Sequence, residues 1–191
     1  MPRIPEAIKR RRAAFSIVVI VLLLVLVFGG GTYLGMFSGT HLEQTTSQTQ
    51  WVLGIEHQGR YGRAPRIVDE ELRPLLVERG LADGTGETAA LIQDYPWQKN
   101  ILRNDRRSIV GVLVTDDNQD VADPLIIMRA PGQTILLAST EAHPSVASYR
   151  LFPKIERWLA ANNYETAGPA LEIYRDNGMV EIQVPIRPAK P

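Results

Sequence analysis

The sequence contains no cysteine, which removes a disulfide framework, a thiolate metal site and a cysteine nucleophile from consideration. The same absence is compatible with oxidising and reducing compartments alike. A charge excess is also missing. The chain has 21 basic and 21 acidic residues, whereas a dedicated nucleic-acid binder usually carries a clear basic surplus. Its histidines, His41, His57 and His143, lie apart with no H-E-x-x-H or similar ligand spacing, so no metal site is expected. No Gly-x-Ser-x-Gly elbow and no Walker or dinucleotide-binding glycine pattern occurs in a strand-to-helix context, and no cofactor is expected.

What the chain does have is one long apolar run. Residues 13–37, AAFSIVVIVLLLVLVFGGGTYLGMF, hold no ionisable group except the Tyr33 phenol. At 1.5 Å per residue these 25 residues are long enough to cross a hydrocarbon core of ~30 Å. One Lys or Asp at mid-bilayer costs roughly 3 kcal/mol, so an uncharged run of this length predicts a transmembrane helix. The run exceeds a signal-peptide h-region of ~7–15 residues and no A-x-A site follows it, which predicts an uncleaved signal anchor. The flank 1–12 carries Arg3, Lys9, Arg10, Arg11 and Arg12 against Glu6 alone. This asymmetry keeps the N-terminus in the cytoplasm and sends the rest of the chain across the membrane. Gly31, Gly35 and Gly39 are spaced four apart, a small-xxx-small face that offers a homodimer contact through Gly31 and Gly35.

Residues 38–50 include the polar stretch THLEQTTSQTQ, without apolar periodicity, and read as a tether. Residues 51–188 have the size of a single domain. Once the flank is set aside, 16 basic and 20 acidic residues remain in the chain, a net charge of −4 beyond the span, which argues further against nucleic acid as a partner. Within the domain, 51–57 reads as a strand and 67–79 as a helix, with Val68, Leu72, Leu75 and Leu76 on one face. Pro74 either kinks that helix or marks its start near Glu71. Two strands follow, 88–95 and 108–115. The order then recurs: strand 133–141, a breaker at His143-Pro144-Ser145, helix 151–162 with Pro153 in its first turn, and strands 170–174 and 180–186. In register, Leu72/Ile155, Leu75/Trp158, Leu76/Leu159 and Leu81/Tyr164 keep a constant offset of 83. An α+β, pseudo-twofold duplication of a β-α-β-β unit is expected, with repeats at about 51–116 and 132–188 packed as one domain.

The second half, SYRLFPKIERWLAANNYETAGPALEIYRDNGMVEIQVPI, resembles the gyrase-inhibitor-like (GyrI-like, SHS2-type) small-molecule-binding domain. The resemblance is carried by Trp158, Asn163-Tyr164, Gly168-Pro169, Glu172-Ile173-Tyr174 and Val184-Pro185. DYPWQKNILRNDRRSIVGVLV in the first half resembles that family's Asp-x-Pro run and Val-Gly strand. In arrangement the chain is similar to membrane-anchored members, which include a testis-expressed receptor for selective autophagy of the endoplasmic reticulum. Here the sequence ends just after the last strand, without that receptor's tail, and the flanking charges favour the opposite orientation. A bacterial inner-membrane protein with its domain facing the periplasm is the better expectation.

Strand alternation sends Leu171 and Ile173 to one face and Glu172 and Tyr174 to the other. The apolar pair is expected to pack beneath the helices, leaving the carboxyl and phenol on a concave face. The resemblance implies that this face lines a cleft between the repeats that takes cationic or amphipathic ligands. Candidate ligand-binding residues are Glu172 and Tyr174, with Leu91 and Gln93 in the first half and Tyr61, Tyr95 and Trp97 as walls. Trp158, on the helical stripe, is expected in the core, and Arg103, Arg106 and Arg107 in a solvated loop. The leading expectation is a membrane-tethered module that captures a small amphipathic or cationic molecule. One alternative is a hydrolase of small reactive electrophiles in which Glu172 activates water and a tyrosine polarises the leaving group. The other is a membrane-held scaffold or adaptor with a vestigial cleft.

Overall fold

The computed structural model describes residues 6–60, 62–81, 86–115, 121–130 and 132–190. The chain divides into two units, Met1–Phe37 and Ser38–Pro191. The first contains one helix, α1 (Glu6–Tyr33), within which Ser16–Tyr33 is long and apolar enough to span a membrane or to act as a signal sequence. Because α1 ends at Tyr33, the expected glycine face does not form. Gly35 lies past the helix with φ 66°, and a side chain at Gly31 would meet the Phe37 ring at 3.3 Å. Gly35 therefore stands outside the helix that carries Gly31.

The second unit is an antiparallel sheet with helices on one face. Its strands are β1 (Thr40–Thr46), β2 (Gln50–Gln58), β3 (Thr88–Ile92), β4 (Arg107–Val114), β5 (Ile126–Ala130), β6 (Thr134–Thr140), β7 (Tyr164–Thr166), β8 (Ala170–Tyr174) and β9 (Val180–Pro188). They lie in the order β1-β6-β9-β8-β3-β4-β2-β5, with β7 added beside β9. Between β2 and β3 run α2 (Ala64–Ile67), a π-helical turn (Val68–Leu72) and α3 (Arg73–Glu78). The π turn stands just ahead of Pro74, which has no N–H to continue the ladder, and the Arg73 N–H reaches back to the Val68 carbonyl. Helix α4 (Pro144–Asn162) connects β6 to β7.

Several expectations change here. The polar stretch expected as a tether forms β1, which pairs along its whole length with β6 from Thr40↔Thr140 to Thr46↔Thr134. An edge strand needs only backbone pairing on one side, so its side chains can stay polar. Strands β5 and β7 lie outside the expected set. Helix α4 starts at Pro144 rather than Leu151: His143 caps it, its Nδ1 accepting the Ser145 N–H at 3.3 Å, and Pro144 occupies the first turn. Pro153 is thus inside the helix and leaves the Tyr149 carbonyl without its usual i+4 donor. Asn163 closes α4 in the left-handed region at φ 59°.

The strand order also dictates curvature. β1 and β2 stand six strand spacings apart, about 29 Å across a flat sheet. Yet only residues 47–49 join them, enough for about 15 Å of chain. The same holds for β5 and β6, joined by residues 131–133. The sheet must curl until its two ends meet, and they do: the Ser47 N–H donates to the Gln133 carbonyl at 2.9 Å and the Gly132 N–H to Thr49 Oγ1 at 3.1 Å. The inner face of the curl packs on itself through Val52, Ala89, Leu91, Ile109, Leu171 and Ile173. The outer face is covered by the helices, in one cluster around Leu72 and Leu76 and another around Leu151 and Ile155.

At the start of this unit, Arg150 of α4 donates to Ser38 and Lys154 donates to Thr40 Oγ1. Trp158 is half-buried at the margin of the second cluster and stacks at a tilt on Tyr164, 5.6 Å away.

Candidate functional site

Glu172 occupies the middle of β8, opposite Ala90 of β3 on one side and Ile182 of β9 on the other. Those neighbours pack in the helix-covered clusters, so Glu172 and Tyr174 face the helices while Leu171 and Ile173 line the inside of the curl. This reverses the expected assignment of faces. Alternation separates the two pairs, but the inner face is buried by curvature and takes the purely apolar pair.

Glu172 is 1% exposed. Its Oε1 accepts a 2.6 Å hydrogen bond from the Ser148 hydroxyl. Ser148 reaches it from α4, whose inward stripe runs Ala147, Leu151, Ile155, Leu159 with Ser148 and Phe152 alongside. Burial pushes the carboxyl up to about 7, against the opposing pull of the Ser148 hydrogen bond and the nearby Tyr174 hydroxyl. Tyr174 is buried two residues on. Its hydroxyl lies close enough to the carboxyl for each to feel the other's charge, but it reaches no hydrogen bond of good geometry. Burial first, and the neighbouring carboxylate second, hold that phenol well above its ordinary pKa.

Ser148 also forms part of the wall of a cavity of about 210 Å³. Trp97 and Phe152 supply apolar walls, edge to face with ring centroids 6.0 Å apart. Behind Trp97, the Tyr95 ring stacks at 4.7 Å, and its hydroxyl donates to the Gly168 carbonyl at 2.7 Å. Tyr149 and Pro153 of α4 continue the wall, and Arg103, Arg106 and Glu156 bring charge to it. The three arginines expected in a solvated loop each have a partner. The Arg103 guanidinium lies 4.8 Å over the Tyr149 ring, and Arg106 Nη2 donates to the Pro96 carbonyl at 2.7 Å. Arg107 pairs with Asp94.

On the helix side Trp97 lines the cavity with Tyr95 stacked behind it, Glu172 meets the cavity wall through Ser148, and Tyr174 packs in the other cluster. Leu91 is not among them: it lies inside the curl, beside a small void shared with Leu171. Gln93 lines a separate polar cavity of about 340 Å³ with Glu56, His57 and Arg107. Tyr61 falls outside the described residues. Sequence reasoning missed Ser148, Tyr149 and Phe152. The signal was available: Pro144 as a first-turn residue places Ser148 and Phe152 one turn apart on the buried face. Among the described residues no group of His, Asp and Glu is placed to hold a metal ion.

No family model matches the chain, and no curated protein matches it in sequence. Solved structures do. The crystal structure of the EcmrR C-terminal domain is 14% identical, with a TM-score of 0.57 over 81% of this chain and 100% of that one. The cryo-EM structure of the EcmrR–DNA complex in EcmrR-RPo is 13% identical, with a TM-score of 0.54 over 98% of this chain and 74% of that one. SAV2435 bound to tetraphenylphosphonium is 13% identical at a TM-score of 0.48 over 77% and 94%, a likeness too slight to build on. The first two show the fold of the second unit, an α+β arrangement of an antiparallel sheet and helices consistent with a GyrI-like domain.

Proposed function

We propose that the domain captures a small amphipathic molecule whose cationic or hydrogen-bond-donating group is read at Ser148 and Glu172. One observation carries the reading: a carboxyl at 1% exposure is tied to a hydroxyl that itself lines an aromatic-walled cavity. An ionised carboxylate is costly at such a position, and an arriving cation or donor offsets that cost. While Ser148 donates to Glu172, its lone pairs remain available as acceptors toward the cavity. Calorimetry on the full-length protein in lipid nanodiscs, with 4-methylbenzylamine as probe, tests the reading. Binding that weakens at least about tenfold in Glu172→Gln supports it. Equal binding by the two proteins sinks it.

The tethered arrangement belongs to the same proposal. Residues 13–37 hold the chain in a bacterial inner membrane, residues 1–12 stay in the cytoplasm and the domain faces the periplasm. The basic flank and the apolar α1 support this topology. An alkaline-phosphatase fusion at the C-terminus should be active in cells; an inactive fusion beside a fluorescent cytoplasmic reporter at the same position reverses the topology. The duplication is part of the reading too. Strand orders β2-β4-β3 and β6-β9-β8 match across the β3·β8 pair, and β1 and β5 each flank the other half's outer strand.

Hydrolysis is a second reading, favoured by the Glu172 carboxyl standing near 7, in the range of a general base. Turnover of a simple aryl epoxide by the wild type, lost in a folded Glu172→Gln protein, would move the assignment from capture to catalysis.

A further inference from the structure

We infer that the ligand of this cavity carries an acidic group as well as the donor group read at Ser148, both on a short apolar body. The inference rests on the proposed reading of Ser148 and Glu172 and supplies the second polar group of the molecule. Its basis is the unequal distribution of charge around the cavity. Arg103 and Arg106 both line it, against one acidic lining residue, Glu156. Arg103 is exposed, sits 4.8 Å over the Tyr149 ring and makes no ion pair among the described residues. Arg106 is fixed in the wall by its bond to the Pro96 carbonyl.

The carboxyl of Glu172 lies elsewhere, behind the Ser148 hydroxyl. The Trp97 and Phe152 rings line the same cavity and give it an apolar wall. A purely cationic ligand would have to settle beside two guanidinium groups, which repel it. A carboxylate or phosphonate there instead takes charge-assisted hydrogen bonds from a planar fork of donors. Size narrows the class further. About 210 Å³ is below the ~300–1,000 Å³ typical of drug-sized sites, so the apolar body is about one ring. The ligand class is a small aromatic or cyclic zwitterion.

The test compares three probes of one shape at pH 8 on the full-length protein in nanodiscs: 4-methylbenzylamine, 4-methylbenzoate and 4-(aminomethyl)benzoate. The wild type should bind the zwitterion about tenfold more tightly than the amine. Arg103→Gln, a change at an exposed side chain, should erase that preference, and Arg103→Glu should invert it. If amine binding depends on Glu172 but the zwitterion gains nothing, or if its gain survives both Arg103→Gln and Arg106→Gln, the inference is overturned and the capture reading stands. If no probe binds, or Glu172→Gln binds the amine as the wild type does, both fall together.

Discussion

β3 and β8 lie side by side at the centre of the sheet, each five residues long and each fully buried, yet they carry different chemistry. At their paired midpoints Ala90 presents a methyl group and Glu172 a carboxyl. The helices above them differ in the same sense. The segment over β3 turns Val68, Leu72 and Leu76 inward and is interrupted by a π turn, whereas α4 runs 19 residues and turns Ser148 inward. Both partners of the buried polar pair therefore come from the second half. The lesson is that two strands of equal length and burial need not carry equal chemistry: at this pair β3 supplies apolar support and β8 the group that can change charge.

The hardest challenge to this contrast is to make the halves alike. Ala90→Glu places a second carboxyl directly across from Glu172, and should cost about 3–5 kcal/mol at pH 8 in urea titrations. The loss should shrink at pH 5, where both groups hold protons; a protein of unchanged stability at pH 8 would mean that the site tolerates charge from either side.

Removing the charge instead of doubling it gives the next largest effect. The fold raises the Glu172 pKa from 4.5 to about 7, so between those values the folded state keeps a proton that the unfolded chain releases. The stability this adds is fully present below 4.5, declines as pH rises and is gone above about 7. Ionisation at pH 8 thus costs on the order of 3 kcal/mol, and Glu172→Gln should exceed the wild type by up to that amount there, with the two converging near pH 4. Parallel pH profiles would contradict it.

Ser148→Ala should cost about 1–3 kcal/mol at pH 8, because it strips a buried carboxylate of a donor, and less at pH 5. The smallest effect belongs to the first half's own buried carboxylate. The Arg107 backbone N–H and Nε both donate to Asp94 Oδ2, at 2.8 and 3.1 Å, and hydrogen bonding by that side chain holds Asp94 below its ordinary pKa. Asp94→Asn should cost about 1 kcal/mol at neutral pH. The wild type should lose the same increment in acid, opposite in direction to Glu172. An acid limb unaltered by Asp94→Asn would remove Asp94 from the account.

Much of this arrangement was legible in the residues. Alternation and turn signals locate β2, β3, β4, β6, β8 and β9, and the Glu-x-Tyr strand points to Glu172. What stayed hidden has physical causes. β1 is held by its backbone, so THLEQTT carries no apolar period to read. Alternation separates Glu172 from Leu171, but which face meets the helices depends on how the sheet curls, and only the two three-residue connections reveal that. Ser148 was obscured by its distance from β8 in sequence and by a helix start placed seven residues late.

The ties from Arg150 to Ser38 and from Lys154 to Thr40 have a mechanical meaning. They clamp α4 to Ser38 and Thr40, at the start of the second unit. Ser148, Tyr149, Phe152 and Pro153, which wall the cavity, belong to the same two turns of helix. α4 is therefore a strut shared by the cavity and the first residues of the second unit. Pro153 interrupts the hydrogen-bond ladder between the two clamp residues, so the strut bends there first. Any displacement of this part of α4 therefore pulls directly on Ser38 and Thr40.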